Sequence, residues 1–137
     1  MKTIKNICII DDDPIYIFAV KRILELSELG ENFIIYKNGE KAINGLTETL
    51  ESGENFPDLI LLDINMPVMD GWQFLDQFVV LNPPKSTILF IASSSIDFVD
   101  LEKSKTYDII SNYLLKPFSR KQILEMVADI IKIQKNN

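Results

Sequence analysis

Polar side chains suited to chemistry follow four of the five short apolar runs in this 137-residue chain. They are Asp11-Asp12-Asp13 after the first run, Asp63 after the third, Ser93-Ser94-Ser95 after the fourth and Lys116 after the fifth. Parallel strands bring their carboxyl ends to one edge of a sheet, where open α/β sheets bind ligands. If the first and third runs are neighbouring strands, their carboxylates repel one another, which raises their pKa values or recruits a cation.

A divalent cation such as Mg²⁺ suits this cluster, because it takes oxygen ligands from carboxylates and also binds phosphate oxygens. Lys116 adds a compact positive charge for a phosphate oxygen, and a hydroxyl of Ser93 or Ser94 can bond another. Each residue alone has a structural explanation, since Asp, Ser and Lys-Pro are common in caps and loops. Their joint occurrence at four run ends favours one site for aspartyl-phosphate chemistry.

Composition excludes several classes of function. The chain has no histidine, so any catalysis depends on carboxylates, lysine, hydroxyls or a bound cation. Its 14 Lys and Arg against 20 Asp and Glu leave a net charge of −6, which argues against direct nucleic-acid binding. No apolar run approaches the roughly 20 residues that span a bilayer, so we expect no membrane insertion and a cytoplasmic location. The 47% apolar content suffices for one core, and we expect a single domain over residues 1–137.

Short apolar runs alternate with segments of helical spacing. The runs, 7–10, 33–36, 59–62, 88–91 and 113–115, are too short for buried helices and predict five strands. Pro14 suits the first turn of a helix that Asp13 caps. The spacing predicts apolar helix faces at Ile15, Ala19, Ile23 and Leu26, at Ile43, Leu46 and Leu50, at Phe74, Phe78 and Leu81, and at Ile123, Val127 and Ile131. The pattern predicts an α/β fold whose parallel sheet is covered on both faces, with Cys8 an inert thiol inside it.

These motifs resemble the receiver domain of two-component response regulators over nearly the whole chain. The resemblance rests on "IIDDDP", on "DINMPVMDG" from Asp63 to Gly71, on "LFIASSS" and on "YLLKPF", in this order and spacing. It implies a five-stranded parallel sheet of the flavodoxin or CheY-like type, (βα)5, with strand order 2-1-3-4-5 and helices on both faces. It also implies that a sensor histidine kinase or a histidine phosphotransfer protein donates a phosphoryl group to this chain.

The resemblance assigns the acceptor site residue by residue. It implies that Asp63 is the phosphoacceptor, and that Asp11 and Asp12 are the acidic pair, with Asp12 a direct Mg²⁺ ligand. Asn65 would offer its backbone carbonyl to the metal. Gly71 would allow the following turn a positive φ that other residues avoid.

The resemblance also assigns a switch. Ser93 corresponds to the switch hydroxyl, although the run of three serines leaves Ser94 open as an alternative. Tyr113 corresponds to the aromatic residue that turns inward on activation. Lys116 corresponds to the phosphate-binding lysine, and a cis peptide is implied at Pro117.

A receiver without an output domain would act by docking to a downstream protein effector, and the apolar spacing of the final helix is compatible with a homodimer.

Three other functions share parts of the pattern. A haloacid-dehalogenase-type hydrolase places an acid/base Asp where this chain has Asn65, so we expect no turnover enzyme. A flavodoxin-like electron carrier would place its flavin phosphate against repelling carboxylates after the first strand. The remaining alternative is a pseudo-receiver, an interaction module that works without phosphorylation.

Overall fold

Five strands alternate with five helices in the computed structural model, which describes residues 4–94, 97–116 and 119–135. The strands are β1 (Asn6–Ile10), β2 (Asn32–Tyr36), β3 (Leu59–Asp63), β4 (Ile88–Ser93) and β5 (Ile110–Leu115). The helices are α1 (Pro14–Leu26), α2 (Gly39–Ser52), α3 (Gly71–Val80), α4 (Phe98–Ser104) and α5 (Arg120–Lys135). The alternation confirms the predicted (βα)5 fold.

The strands form one parallel sheet in the order β2-β1-β3-β4-β5, as the resemblance implied. Alternate residues of β1 belong to two cores. Ile7 and Ile9 pack with buried residues of α1 and α5, whereas Cys8 and Ile10 pack with those of α2 and α3. Burial on both faces explains why the central strands are apolar without alternation. Cys8 is fully buried, as predicted, and burial raises the pKa of its thiol.

Strand β5 begins three residues before the predicted run 113–115, at Ile110. Its first half was missed because Ser111 and Asn112 are exposed polar residues at the edge of the sheet. The pairing with β4 is also irregular there, since Leu89 pairs with Ile110 but Phe90 pairs with Asn112. Ser111 is therefore the extra residue of a β-bulge, and the strand returns to register before it reaches the site.

Helix α1 turns a different face to the sheet from the one that its spacing predicted. Asp13 caps it as predicted, because its Oδ1 accepts from the backbone N–H of Ile15 at 3.0 Å. The buried side chains, however, are Tyr16, Ile17, Val20 and Leu24. The side chains of Ile15 and Leu26, on the predicted face, are 80% and 63% exposed. The helix is apolar on both faces, so spacing alone did not determine which one packs.

The other helical faces agree with the prediction where their side chains are described. Leu46, Phe74 and Phe78 are fully buried. In α5, Ile123 is buried as predicted, together with Met126 and Ile130, whereas the side chains of Val127 and Ile131 lie outside the described part of the structure. Within the described residues, the helices are all too short or too polar to cross a bilayer.

Candidate functional site

Three carboxylates meet at the carboxyl edge of the sheet. Asp63 is the last residue of β3, and Asp11 and Asp12 follow β1 directly. One oxygen from each carboxylate lies within 4.8 Å of the other two. Asp11 and Asp63 are buried, while Asp12 is exposed to incoming solutes. Three close carboxylate oxygens with one open side are a donor set that fits Mg²⁺.

The site disfavours its own negative charge. Burial and, to a smaller extent, the charge of Asp11 together raise the pKa of Asp63 to about 6, although Lys116 opposes both effects. Burial also raises the pKa of Asp11, against the hydrogen bond from Lys116. A second positive charge would therefore stabilise the ionised carboxylates, which is a further reason that the site suits a cation.

Lys116 reaches the carboxylates from the end of β5. Its Nζ donates to Oδ2 of Asp11 at 2.5 Å and lies 3.8 Å from Oδ1 of Asp63. Its backbone N–H donates to the carbonyl of Ser93 at 2.8 Å, which ties the end of β5 to the end of β4. The structure therefore brings Lys116 to Asp11 and Asp63, as the run-end pattern predicted.

Tyr16 is part of this site although the sequence reasoning did not include it. The Lys116 ammonium lies over its ring, 4.1 Å from the centroid. The available signal was its position in the first turn of the helix that follows the acidic pair. That signal was weak, because the side chain could equally have turned to solvent with Ile15 and Phe18, which are 80% and 72% exposed.

The two candidate switch hydroxyls lie in different environments. Ser93 is buried at the end of β4, beside Ala92, which pairs with Asp63 across the sheet. Its side chain is hydrogen-bonded to that of Tyr113. Ser94 is exposed and lines the same cleft as Asp63. The contact with Tyr113 therefore distinguishes Ser93 from Ser94. Pro117, with its implied cis peptide, lies outside the described residues.

The loop between β3 and α3 contacts both the side chain and the backbone of Asp63. The backbone N–H of Asn65 donates to Oδ1 of Asp63 at 3.3 Å. The expectation that Gly71 takes a positive φ is wrong, because Gly71 is the first residue of α3 and φ is positive at Val68 instead, at 71°. Gly71 is required for space: a Cβ there would lie 2.7 Å from the carbonyl oxygen of Asp63.

An apolar cleft of about 600 Å³ leads away from the carboxylates along α1. Asp63, Asn65 and Lys116 line one part of it. The rest includes Ile15 and Ala19, which were predicted to face the core and are exposed, and Ile23, which is half-buried and packs against the core as predicted. The face of α1 that the sheet leaves uncovered is therefore continuous with the acceptor site.

Comparisons with known proteins agree with this geometry. The model of the response regulator receiver domain family matches residues 7–128. A two-component response regulator from Cytophaga hutchinsonii is 30% identical, and its crystal structure superposes with a TM-score of 0.84 over 96% of this chain and 99% of that one.

Two further relatives are more distant. The receiver domain of the sensor histidine kinase PA1611 from Pseudomonas aeruginosa PAO1, solved with magnesium in its active site cleft, has 18% identity and a TM-score of 0.76 over 93% of this chain and 98% of that one, which shows the fold alone. The transcriptional regulatory protein MalR of Bacillus subtilis (strain 168) is 28% identical over 135 residues, 95% of this chain and 52% of MalR. The chain thus spans about half the length of that relative.

Proposed function

This chain belongs to the family of response regulator receiver domains, and we propose that its Asp63 accepts a phosphoryl group in a Mg²⁺-dependent reaction. One observation carries the proposal: the carboxylate cluster of Asp11, Asp12 and Asp63 lies within reach of a single lysine, whose Nζ is 3.8 Å from Asp63. Receiver domains are signalling proteins rather than turnover enzymes, and a stoichiometric modification of Asp63 is the event that would signal.

The reaction moves the phosphoryl group from a donor atom to an oxygen of Asp63. An ionised oxygen of Asp63 attacks phosphorus, the new O–P bond forms, and the P–N bond of a phosphohistidine or the P–O bond of an acyl phosphate breaks. Asp11, Asp12, Asp63 and the backbone carbonyl of Asn65 would hold Mg²⁺, which would neutralise charge on the phosphoryl oxygens. Because the pKa of Asp63 is raised to about 6, its reactive ionised form predominates only above that pH in the absence of metal.

Lys116 and Ser93 are proposed to bind the phosphoryl oxygens after transfer. The ammonium of Lys116 lies 3.8 Å from Oδ1 of Asp63. Ser93 is the last residue of β4, the strand that pairs with β3. The side-chain hydrogen bond between Ser93 and Tyr113 supports a coupled switch, because a phosphate that draws Ser93 toward it removes or redirects that bond. Tyr113 would then repack the face formed by α4, β5 and α5, which a downstream effector would read.

The phosphoryl donor is proposed to be a helical histidine kinase or histidine phosphotransfer domain that docks on the exposed face of α1. Ile15, Phe18 and Leu26 are 80%, 72% and 63% exposed there. The cleft along α1 ends at Asp63, so a helix lying on this face would bring a phosphohistidine to the acceptor. We also propose a cytoplasmic location, because the phosphoryl group of a histidine kinase comes from ATP.

Intact-protein mass spectrometry after incubation with acetyl phosphate tests the acceptor. We expect a single phosphoryl adduct that requires Mg²⁺, that is lost in Asp63→Asn and that persists in Asp108→Asn. Asp108 is an exposed aspartate just before β5, at the amino ends of the strands and away from the acceptor site. It serves as the matched control. A folded wild-type protein that binds Mg²⁺ but forms neither the adduct nor a beryllofluoride complex would instead be a pseudo-receiver.

A further inference from the structure

The ring of Tyr16 forms the α1 wall of the acceptor site at Lys116. The residue lies in the first turn of α1, and its side chain is only 8% exposed. Its backbone N–H donates to Oδ1 of the capping Asp13 at 3.4 Å, so the helix cap also holds the backbone from which the ring projects. The Lys116 ammonium lies 4.1 Å from the ring centroid, within the distance of a cation–π contact.

The ammonium is therefore close to the Asp11 carboxylate, the Asp63 carboxylate and the Tyr16 ring. The Lys116 side chain is 12% exposed, so little water competes for it. Cation–π attraction is stronger where the cation is desolvated. The ring contact is thus made under the condition in which it contributes most.

The ring differs from the carboxylates because its electrostatic properties do not change when the site is protonated, phosphorylated or binds a cation. Asp63 changes its charge when it is protonated or phosphorylated, and a cation bound at the cluster would compete with Lys116 for Asp11. The quadrupole of the ring is unaffected by these changes. It can hold the ammonium at the cleft whether or not Asp11 remains its partner.

We propose that Tyr16 is a positioning residue for phosphoryl transfer, and that the face of its ring holds the Lys116 ammonium beside Asp63. The effect on the transfer rate rests on the function proposed above, whereas the contact between Tyr16 and Lys116 does not. Tyr16 also belongs to the core formed by β1, β3, β4, α1 and α5, so a purely packing role is the competing explanation.

Conservative variants separate the two roles. Tyr16→Phe keeps the ring face, and Tyr16→Leu and Tyr16→Met keep apolar bulk without it. With acetyl phosphate and saturating Mg²⁺, we expect Tyr16→Phe to be phosphorylated within about twofold of the wild-type rate, and the aliphatic variants to be about tenfold slower. Equal rates for the Phe, Leu and Met variants would overturn the proposal, because the ring face would then have no role.

A double-mutant cycle in EDTA tests the contact independently of phosphorylation. The free energy of urea unfolding is measured for the wild type, Tyr16→Leu, Lys116→Met and the double variant. We expect the destabilisation by Tyr16→Leu to be clearly smaller when Lys116 is absent, and the same cycle with Tyr16→Phe to be additive. Additive effects in the Leu cycle would overturn the proposal. If even the wild type accepts no phosphoryl group, the proposed function fails, and the cycle still determines whether Tyr16 holds Lys116.

Discussion

Lys116 at the end of β5 donates a hydrogen bond to Asp11 after β1, although two strands separate β1 from β5 in the sheet. The pair lies above the end of β3 and places a positive charge beside Asp63, 3.8 Å from its Oδ1. The Asp11 side chain is only 1% exposed; the backbone N–H of Asp13 donates to its Oδ1 at 2.9 Å, and Lys116 supplies its positive countercharge.

Removal of that partner should destabilise the protein far more than removal of an exposed one. We expect Lys116→Met to lower the free energy of unfolding by about 3 kcal/mol in EDTA, because it leaves a buried carboxylate unpaired. Lys105→Met breaks the exposed pair with Glu102 and should cost less than about 1 kcal/mol. Urea unfolding at neutral pH measures both. Equal losses would mean that the pair of Lys116 and Asp11 is no better shielded from water than a surface ion pair.

The raised pKa of Asp63 predicts a pH dependence of stability. The folded state binds this proton more tightly than the unfolded state, since the pKa rises from 3.8 to about 6 on folding. The contribution of Asp63 to stability is therefore largest below pH 3.8, falls as the pH rises toward about 6, and stays low above that value. Asp63→Asn cannot ionise, so in EDTA it should become more stable than the wild type as the pH rises, by on the order of 1 to 3 kcal/mol at neutral pH.

Urea unfolding of both proteins across this range is the measurement. Asp108→Asn controls for the loss of one net charge. Mg²⁺ should reduce the advantage of Asp63→Asn, because a cation stabilises the ionised carboxylate of the wild type. A constant difference between wild type and Asp63→Asn at all pH values would contradict the prediction.

Gly71→Ala should disturb the acceptor directly. Its Cβ would meet the carbonyl oxygen of Asp63 and the Cα of Ile64, each at 2.7 Å, and backbone atoms cannot rotate away as a side chain can. We expect a loss of about 2 to 4 kcal/mol in the free energy of unfolding and slower labelling of Asp63. Gly53→Ala is the control: Gly53 has φ of 73° and nothing within 4 Å of a new Cβ, so it carries only the conformational cost of about 1 kcal/mol. Similar losses in both variants would argue against a steric role for Gly71.

Val68→Gly should stabilise the fold. Val68 has φ of 71°, and the N–H of Met69 donates to the carbonyl of Pro67 across it, which makes a strained γ-turn at a β-branched residue. Its side chain is 74% exposed, so little packing is lost. We expect a gain of about 1 kcal/mol in thermal or urea unfolding. Val79→Gly, in α3, should have the opposite sign, because glycine weakens a helix. Destabilisation by both changes would show that the strain at Val68 is negligible.

Two phenylalanines of similar exposure test where the donor docks. Phe18 in α1 is 72% exposed and Phe98 in α4 is 74% exposed. We expect Phe18→Ser to slow phosphoryl transfer from a phosphohistidine donor domain about tenfold or more, since an exposed aromatic at the centre of an interface contributes strongly to binding. Labelling by acetyl phosphate should stay at the wild-type rate. If Phe98→Ser slows the donor domain and Phe18→Ser does not, the donor docks on α4 rather than α1.

The sequence by itself determined the strands and the chemistry of the site at their carboxyl ends. Short continuous apolar runs are typical of strands in a sheet covered on both faces, and all five predicted strands were found, with β1, β3 and β4 the buried ones. Asp11, Asp63 and Lys116 could be grouped in advance, because the carboxyl ends of parallel strands meet at one edge. These inferences depend on local composition and on a general rule of topology, so they needed no knowledge of distant contacts.

Only the tertiary structure decided which surfaces meet. Both faces of α1 are apolar, so the face that covers the sheet was settled by the shape of the neighbouring strands and α5, and this choice exposed Ile15 and turned Tyr16 inward. Gly71 looked like a residue needed for a positive φ, and its real constraint is the approach of the Asp63 backbone. The contact between Tyr16 and Lys116 joins residues a hundred positions apart. Such contacts depend on distances of a few ångströms between separate elements, and no local pattern in the chain encodes them.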